Sequence, residues 1–465
     1  MKIILTSLLV FILQQLPALI ISIPDDFSSI QVGIEQSTDG DTVLVAPGTY
    51  FENLNFDGKN ILLTSNFLFE NNQSYIEQTI IDGSTSTNPD TNSVVVFCNN
   101  ETASAVIQGF TITGGGGTVW IDPQLPALTW FSGGGIFMYY SSPTIRYNLI
   151  TENNVENTNN YDGASGGGLL CFRGNPLIHN NTISLNQADY GAGVVVDYSG
   201  AVIKNNLVIN NSGGELYGGG GLYVIGSDIE PIQVINNTIF GNHSETDGGA
   251  IKTYSSPIIA LNNIIWGNTQ VSGNQINGGS SISITYCCVE GGFTGTGNID
   301  ADPLFVDDYY LLSSNSPCID AGYSGNGYFD LEDPDNSGYA LYPSQGTILN
   351  DMGVYGGPLT ACFQPTSIEL NTIHASKINL SNYPNPFNPS TTISFNLIAK
   401  DAKNAKLTIY NLKGNKIRQY PISNNQSSIV WDGTEKNNQQ VPSGIYFYSL
   451  NTGSIQQTRK MILIK

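Results

Sequence analysis

The sequence predicts an all-β protein in which a parallel β-helix solenoid is followed by a small β-sandwich. Three observations support this fold class: a five-fold repeat between Gly133 and Thr269, alternating apolar residues within each copy, and a change in composition after Pro365. Periods of about 20–50 residues are typical of solenoids, and alternating apolar positions are typical of strands. We therefore expect at least two structural units in the 465 residues.

Each copy of the repeat opens with glycines, continues into an apolar run, and closes on two asparagines separated by an aliphatic residue. The first apolar residues of successive copies are 33, 25, 28 and 29 positions apart. Because stacked strands lie about 4.8 Å apart, equivalent side chains should form columns, with Ile and Val inside and Asn amides hydrogen-bonded along buried bends. The closing triplets are Asn148/Ile150/Asn153, Asn181/Ile183/Asn186, Asn206/Val208/Asn211, Asn237/Ile239/Asn242 and Asn263/Ile265/Asn268.

The pattern extends more weakly on both sides of the clear copies. Downstream it includes Ser281–Val289, and upstream it includes Ile61–Thr64, Val94–Phe97 and Val106–Thr113. The segment Ile30–Phe56 predicts a short helix followed by strands, which suits the atypical end that a solenoid needs to close its core.

Residues 23–365 resemble the right-handed parallel β-helix family, which has the pectate-lyase-like fold. The resemblance rests on Asp39–Leu54 (DGDTVLVAPGTYFENL), Gly109–Thr113 (GFTIT) and the GGGI…NNTI repeats. Ala301–Gly322 and Asn350–Gly357 also resemble the closing part of secreted proteins of this kind. The resemblance implies a right-handed coil, but not one activity, because a single scaffold hosts many.

Residues 1–22 predict a signal peptide, with a basic Lys2, an apolar stretch and a polar break near Ser22. No later segment has about 18 uninterrupted apolar residues, so we do not expect the mature chain to span a membrane. The expected location is secreted or on the outer cell surface.

After a linker at 366–376, residues 377–465 predict an Ig-like β-sandwich, because short strands alternate with turns. This module resembles the type A C-terminal sorting domain of the type nine secretion system. The resemblance implies handling by that secretion and sorting machinery, followed by removal of the module; the alternative is an Ig-like domain without a sorting role. The resemblance to the sorting domain rests on Tyr383–Ser390 (YPNPFNPS), Ile409–Leu412 with Gly414, Trp431–Gly433, Ser443–Tyr446 and Lys460–Lys465.

The net charge of −21 is unevenly distributed along the chain. Residues 23–365 contain 34 Asp and Glu against 5 Lys and Arg, whereas residues 366–465 contain 4 against 11. The acidic composition of residues 23–365 argues against nucleic acid as a partner, since phosphate binding needs clustered Lys and Arg.

Six cysteines are present, and export permits disulfides. Cys171 shares a predicted column with Met138 and Val196, which favours a buried free thiol. Cys318 and Cys362 both flank the closing segment, so they are the favoured bridge, although spacing alone does not fix connectivity.

One predicted column is basic. Arg146, His179 and Lys204 each stand two positions before the first Asn of their copy and should face outward, because an inward Ile precedes each of them. An anionic ligand such as a uronate or sulfated sugar would relieve repulsion between groups about 4.8 Å apart. The alternative is three solvated side chains that nearby Asp and Glu neutralise.

A second predicted pair of columns is aromatic, and exposed rings there would stack on sugar faces. Ordinary packing is the alternative in a chain with 24 Tyr. The first column aligns Tyr139, Phe172 and Asp197, and the second aligns Tyr140, Arg173 and Tyr198.

No cofactor is required by the sequence, but one acidic loop suits Ca²⁺. Its oxygen-bearing residues match the first half of an EF-hand loop before Gly338, whereas Ser344 stands where the twelfth-position Glu would be. A solvated acidic loop is the alternative. The candidate ligands are Asp330, Glu332, Asp333, Asp335 and Ser337.

The favoured role is binding of extracellular polysaccharide, or adhesion, by the face that carries the basic and aromatic columns. The alternative is a polysaccharide lyase or glycoside hydrolase acting on an acidic glycan, with Arg146, Arg173 or Lys204 as the base of a lyase. Adjacent Asp pairs occur only at Asp25–Asp26 and Asp307–Asp308, outside the clear repeat, which weakens the hydrolase alternative. A third possibility is a structural surface protein.

Overall fold

The structure is a computed structural model that divides into two compact units, residues 1–365 and 366–465. It describes residues 18–88, 90–157, 161–226, 231–278, 281–307, 309–359, 380–383, 387–395, 405–411, 416–422, 428–436, 439–451 and 456–463.

The larger unit is a β-helix whose coils pass in turn through four stacked sheets, which we number 1 to 4 in that order. Every strand pair in sheets 1, 2 and 3 is parallel. Sheet 1 contains Leu54–Asn55, Val95–Phe97, Ile136–Tyr139, Leu169–Phe172, Val194–Asp197, Leu222–Ile225, Ile251–Tyr254 and Ile276–Asn277. Sheet 2 contains Ile20–Ile23, Thr42–Val45, Leu62–Ser65, Val106–Gln108, Thr144–Arg146, Leu177–His179, Val202–Lys204, Ile232–Ile235, Ile258–Leu261 and Ile282–Thr285.

Sheets 3 and 4 complete each coil. Sheet 3 contains Gly48–Tyr50, Thr79–Asp82, Thr111–Thr113, Leu149–Thr151, Thr182–Ser184, Leu207–Ile209, Thr238–Phe240, Ile264–Trp266 and Cys288–Val289. Sheet 4 contains Thr91–Asn92, Gly117–Trp120, Trp130–Ser132, Asn154–Val155, Gly163–Ser165, Gln187–Tyr190, Ser212–Gly218, His243–Ser244 and Thr269–Gln270. The all-β solenoid predicted from the repeat is confirmed.

The N-terminal end of the solenoid is closed by the helix Ile30–Gln36, as the sequence predicts. The Ser29 hydroxyl accepts from the Val32 N–H at its first turn, and Ile30 and Ile34 are buried in the solenoid core. Two short helices, Phe67–Glu70 and Ser74–Gln78, lie in the following coil.

The first strand, Ile20–Ile23, pairs with Thr42–Val45 and buries Ile21 and Ile23. Residues 20–22, which the sequence assigns to the signal peptide, therefore contribute to sheet 2. Residues 1–17 of that predicted peptide lie outside the described residues.

Columns of aliphatic side chains form the core, because strand alternation points every second residue inward. Ile145 pairs with Ile178, which pairs with Ile203, and the column continues to Val234. All four are fully buried. Each such side chain contributes about 1.5–3 kcal/mol relative to an exposed one.

Two continuous ladders of Asn side chains run along the bends of the coils, as the repeat predicts. In the first, the Asn148 Nδ2 donates to Asn181 Oδ1, and the same contact repeats to Asn206, Asn237 and Asn263 at 3.0–3.2 Å. The second ladder joins Asn153, Asn186, Asn211, Asn242 and Asn268 at 2.9–3.0 Å. Each interior amide thus donates to one neighbouring coil and accepts from the other.

The glycines that open each copy permit close approach between coils. A Cβ on Gly135 would lie 2.5 Å from the Gly168 carbonyl oxygen, and the same overlap recurs from Gly168 to Gly193 and from Gly193 to Gly221. Any larger residue at these positions would separate the coils and break the ladders, which explains the repeated glycines.

The segment after the last coil returns along sheet 3. Asn205 Nδ2 donates to the Val354 and Gly356 carbonyls, and Asn236 Nδ2 donates to the Asp351 carbonyl. Cys318 lies in this segment, whereas Cys362, its predicted disulfide partner, lies outside the described residues. Cys171 is a buried free thiol between Met138 and Val196 in the core, and burial raises its pKa to about 12.

The smaller unit contains two antiparallel sheets around one core that includes the fully buried Trp431. One sheet consists of Leu380–Tyr383, Thr391–Phe395 and Ser428–Trp431. The other consists of Lys406–Asn411, Lys416–Pro421, Gly444–Asn451 and Gln456–Leu463. The predicted linker 366–376 lies outside the described residues.

Replacement of one interior ladder residue should destabilise the whole solenoid. Asn206 is fully buried; its Nδ2 donates to Ile178, Lys204 and Asn237, and its Oδ1 accepts from Asn181. Asn206→Ala leaves several of these groups unpaired, so we expect a loss of about 3 kcal/mol or more in the free energy of unfolding, measured by urea denaturation.

The matched control is Asn154→Ala, because Asn154 is exposed and its side chain bonds only the exposed Glu156 among the described contacts. Its free energy of unfolding should stay within about 0.5 kcal/mol of the wild type. Equal effects of the two substitutions would contradict a stabilising role for the ladder.

Candidate functional site

The outer surface of sheet 1 is unusually aromatic, because two columns of outward side chains carry rings. A hairpin of sheet 4, Gly117–Trp120 paired with Trp130–Ser132, lies over these columns. The Trp120 ring lies 4.5 Å from the Phe172 ring and 6.1 Å from the Tyr139 ring. The hairpin therefore converts a flat sheet into a concave surface.

A cleft of about 520 Å³ opens beside this hairpin. Sheet 1 contributes Phe137 and Tyr139 to its wall, the hairpin contributes Trp120, and the Asn53 and Asn55 residues supply polar groups. We call this space the aromatic cleft. Its apolar walls and few polar groups are typical of small-ligand sites.

Arg173 lies next to the aromatic cleft and is held between two rings. Its guanidinium carbon is 5.1 Å from the Phe172 ring centre and 4.9 Å from the Tyr198 ring centre. The Nε and Nη2 atoms are buried, and neither has a hydrogen-bond partner among the described residues. Cation–π contacts thus hold the side chain, while two of its donor atoms stay unpaired.

Asp197 follows Phe172 in the same column of sheet 1 and carries a second unpaired group. Its Oδ1 is buried without a partner among the described residues. The pKa of Asp197 is raised to about 7, chiefly by burial and further by the nearby Asp122 carboxylate, while the Arg173 guanidinium acts in the opposite direction.

Asp122, Arg173 and Asp197 form one electrostatic group, which we call the polar cluster. Asp122 and Arg173 both influence the pKa of Tyr139, which lines the aromatic cleft, so the cluster adjoins the cleft through that ring. Burial is the main cause of the raised pKa of Tyr139. The arrangement offers donors, acceptors and ring faces within one region.

Unpaired buried polar atoms are concentrated in this region. Of seven such side-chain atoms among the described residues, four belong to Trp120, Arg173 and Asp197. A buried donor or acceptor left unpaired costs about 1–3 kcal/mol, so such atoms are rare unless a ligand or a functional demand explains them. Their concentration singles out this surface as the candidate functional site.

The turns that follow the sheet 1 strands also carry strain. Tyr140, Arg173 and Tyr198 occupy equivalent positions on three coils and all have positive φ, at 53°, 53° and 45°. A left-handed backbone costs a non-glycine residue roughly 1–2 kcal/mol. Here the coil-to-coil hydrogen bonds compensate, since each of the three N–H groups donates to the carbonyl of the next coil.

The predicted basic column exists, but on sheet 2 rather than beside the aromatic rings. Arg146, His179 and Lys204 pair in register on three coils. Arg146 Nε donates to Gln108 Oε1 at 2.7 Å. His179 is only 5% exposed, and its pKa is lowered to about 4, chiefly by burial and further by Arg146 and Lys204. Burial also lowers the pKa of Lys204.

The structure therefore divides the predicted ligand-binding residues between two sheets. Sheet 1 and its turns bring together Tyr139, Tyr140, Phe172, Arg173 and Tyr198. Two residues that sequence reasoning missed, Trp120 and Asp122, belong to the hairpin, which has no counterpart in the other copies. Asp197 was aligned with the aromatic column but was not assigned a role.

The predicted calcium loop is an internally bonded turn. Glu332 accepts from the Ser337 hydroxyl and the Gly338 N–H, and Asp333 accepts from the Asp335 N–H. The buried Asp330 accepts from backbone N–H groups at Asp351 and Gly357. In the part of the chain that the structure describes, no group of three His, Cys, Asp or Glu side chains is arranged to hold a metal. Calcium at this loop stays a prediction.

Two family models match the chain. Residues 68–245 match the right handed beta helix region, and residues 381–465 match the secretion system C-terminal sorting domain. The solenoid is thus a right-handed β-helix, and the sorting domain marks a protein that the type IX secretion system delivers to the cell surface or beyond. Among the described residues, none of the helices has the length and apolar character needed to span a membrane.

Two solved structures are similar to parts of the chain, whereas no curated protein matches it. PorZ, an essential surface component of the type IX secretion system of Porphyromonas gingivalis, aligns at 15% identity with a TM-score of 0.16. That alignment covers 26% of this chain and only 14% of PorZ. Carrot pectin methylesterase aligns at 9% identity with a TM-score of 0.32, over 61% of this chain and 83% of the esterase.

The buried carboxyl of Asp197 should make stability depend on pH. With a folded pKa near 7 and an ordinary value of 3.8, Asp197 stabilises the fold fully below pH 4, and that contribution falls as pH rises through 7. Asp197→Asn does not titrate. The variant's stability relative to wild type should therefore rise between pH 4 and 7, by up to roughly 4 kcal/mol, and level off above pH 7.

Urea unfolding at pH 4, 5.5, 7 and 8 (about one point per 1.5 units) measures this difference. The control is Asp25→Asn, which removes one negative charge at an exposed position. A stability difference for Asp197→Asn that stays flat from pH 4 to 7 would contradict a buried carboxyl of raised pKa.

Proposed function

We propose that this exported right-handed β-helix protein binds a neutral polysaccharide in the aromatic cleft and across the adjoining polar cluster. The observation that carries the proposal is the Arg173 guanidinium, buried between two rings with two unpaired donor atoms beside a cleft walled by Trp120, Phe137 and Tyr139. Export brings the chain to the compartment where extracellular polysaccharides occur.

The aromatic walls suit the apolar faces of sugar rings. Trp120, Tyr139 and Phe172 are mutually packed, with ring centres 4.5–6.1 Å apart, so their orientations are fixed before any ligand arrives. Tyr140, 41% exposed, packs edge-on against Tyr139 and extends the surface toward solvent. Preorganised rings bury large apolar area at low entropic cost, which favours stacking.

The polar cluster suits hydroxyl groups, which both donate and accept hydrogen bonds. Arg173 offers unpaired N–H donors, and the carboxyl groups of Asp122 and Asp197 offer acceptors. An anionic sugar would meet these two acids and a solenoid with 34 acidic against 5 basic residues at 23–365. Like charges at short range repel, so the charge balance favours a neutral glycan in this cleft.

Sheet 2 offers the alternative surface for an anionic glycan. Arg146 and Lys204 flank the uncharged, buried His179 there, so the column carries two cationic groups at most near neutral pH. Combined substitution of Arg146 and Lys204 by Ala tests this alternative. If the double variant loses binding to an anionic glycan while the Arg173→Met variant still binds it, the binding site lies on sheet 2.

Glycan-array binding followed by calorimetry on the purified chain tests the aromatic cleft. Arg173→Met keeps the side-chain stem but removes the donors, so affinity for the bound polysaccharide should fall about 10-fold or more. Its free energy of unfolding should change by less than about 1 kcal/mol, since removal of the buried unpaired donors offsets the loss of the cation–π contacts and of the attraction to Asp197.

Trp120→Ala should weaken binding at least about 30-fold, because it removes one wall of the cleft. Tyr339→Ala is the matched control, since Tyr339 is 53% exposed on a loop far along the sequence from the hairpin. A chain that binds no glycan on the array, or an Arg173→Met variant that binds as the wild type does, would contradict the proposal.

The polar cluster also favours a second candidate, hydrolysis of the bound glycan. Asp122 is buried, and its charge raises the pKa of Asp197, a half-buried residue whose Oδ1 atom is buried. Two carboxyl groups in different environments are the requirement for acid–base cleavage of a glycosidic bond. Burial keeps Asp197 protonated up to a pKa of about 7, as a general acid requires.

A reducing-end assay on each polysaccharide that binds the array distinguishes an enzyme from a binder. If the protein is a hydrolase, Asp197→Asn should lower product release at least about 100-fold while affinity changes little. Absence of new reducing ends with the wild type, alongside measurable binding, would leave binding as the function.

A further inference from the structure

The end of the solenoid brings two cysteines into contact. Cys288 lies in the last strand of sheet 3, and Cys318 lies in the segment that returns along that sheet. Both residues are fully buried and pack in one cluster with Ile264, Leu312 and Met352. Both are free thiols, and each shifts the pKa of the other.

The backbone on each side of this contact is fixed. The Cys288 N–H donates to the Asn263 carbonyl at 2.9 Å, which continues the coil-to-coil ladder. The Cys318 N–H donates to Ser316 Oγ at 3.2 Å, and its carbonyl accepts from the Met352 N–H at 2.9 Å. The two side chains therefore share one buried cluster because hydrogen bonds hold both main chains in place.

We propose that Cys288 and Cys318 form a disulfide in the exported protein. Export carries the chain out of the reducing cytosol, and disulfides form and persist in the compartments beyond it. The bond would join the last strand of sheet 3 to the segment that covers it, and so fasten the C-terminal end of the solenoid.

The chemistry requires an oxidant of the disulfide class, such as oxidised glutathione or a thiol oxidase with a reactive disulfide. One cysteine thiolate attacks a sulfur of that oxidant, forms a mixed disulfide and releases one thiol. The second cysteine then displaces the other half as a second thiol. Two electrons and two protons pass from the cysteine pair to the oxidant.

In the packed fold the two thiols perturb each other. Proximity to Cys318 lowers the pKa of Cys288, whereas proximity to Cys288 and burial raise the pKa of Cys318. Because both side chains are buried in the finished fold, the oxidant has to act before the closing segment is fully packed.

The adjacent Cys287 has a different role. Strand alternation points it into the core, where its sulfur accepts from the Asn263 N–H at 3.2 Å and ends the first Asn ladder. Cys288 points to the opposite side, toward Cys318. This alternation makes Cys287→Ser a matched control for Cys288→Ser.

The test uses the full chain, denatured, reduced and then refolded with reduced and oxidised glutathione. Free thiols are alkylated in denaturant and counted by mass spectrometry, and a non-reduced digest identifies linked peptides. We expect four alkylated cysteines instead of the six in the sequence, and a peptide pair that contains Cys288 and Cys318. Reduction of the refolded protein should lower its melting temperature by about 5 °C or more.

The variants make the assignment specific. Cys287→Ser should keep the linked pair, whereas Cys288→Ser should lose it and leave all five remaining cysteines open to alkylation. Six alkylated cysteines after oxidative refolding would overturn the proposal. A linked pair of Cys318 with Cys362, or a pair that survives in Cys288→Ser, would overturn it as well.

Discussion

Registration between successive coils is the constraint on which the rest of the solenoid depends. In each interior rung one Asn amide donates to the next coil and accepts from the previous one, as at Asn181 and Asn206. A coil displaced by one residue would leave several of these buried groups unpaired, at about 1–3 kcal/mol each. In coils of regular length, the side chains of the preceding strands therefore have their columns fixed by their distance along the chain from the ladder Asn.

This registration explains why the columns could be predicted from the sequence alone. Tyr139, Phe172 and Asp197 align because each precedes its ladder Asn by nine positions. Since the ladder fixes the position of each Asn, residues at the same distance from it occupy the same column. The same reasoning placed Arg146 and Lys204 correctly in one column. The all-β fold and the secretion module followed from equally local patterns.

The cleft could not be predicted in the same way, because it depends on a departure from the repeat. From Ile107 to Ile145 the chain takes 38 residues to complete a coil, against 25 from Ile178 to Ile203, and the excess forms the hairpin that carries Trp120. The hairpin residues have no equivalent positions in the other coils, so the repeat pattern could not predict where they lie. His179 shows the same limit: its outward direction was predictable, but the packing of the Tyr147 ring against it was not.

Each interior rung of the Asn ladders is bonded only within its own coil and to its two neighbours. This local closure has a consequence for how such a protein changes over evolutionary time. Duplication of one coil would add a rung to both Asn ladders and lengthen the rod by about 4.8 Å, without altering any contact around Trp120 and Arg173. Gain or loss of coils between the hairpin and the C-terminal end is thus a way to change the length of the solenoid while the region around the hairpin is inherited intact.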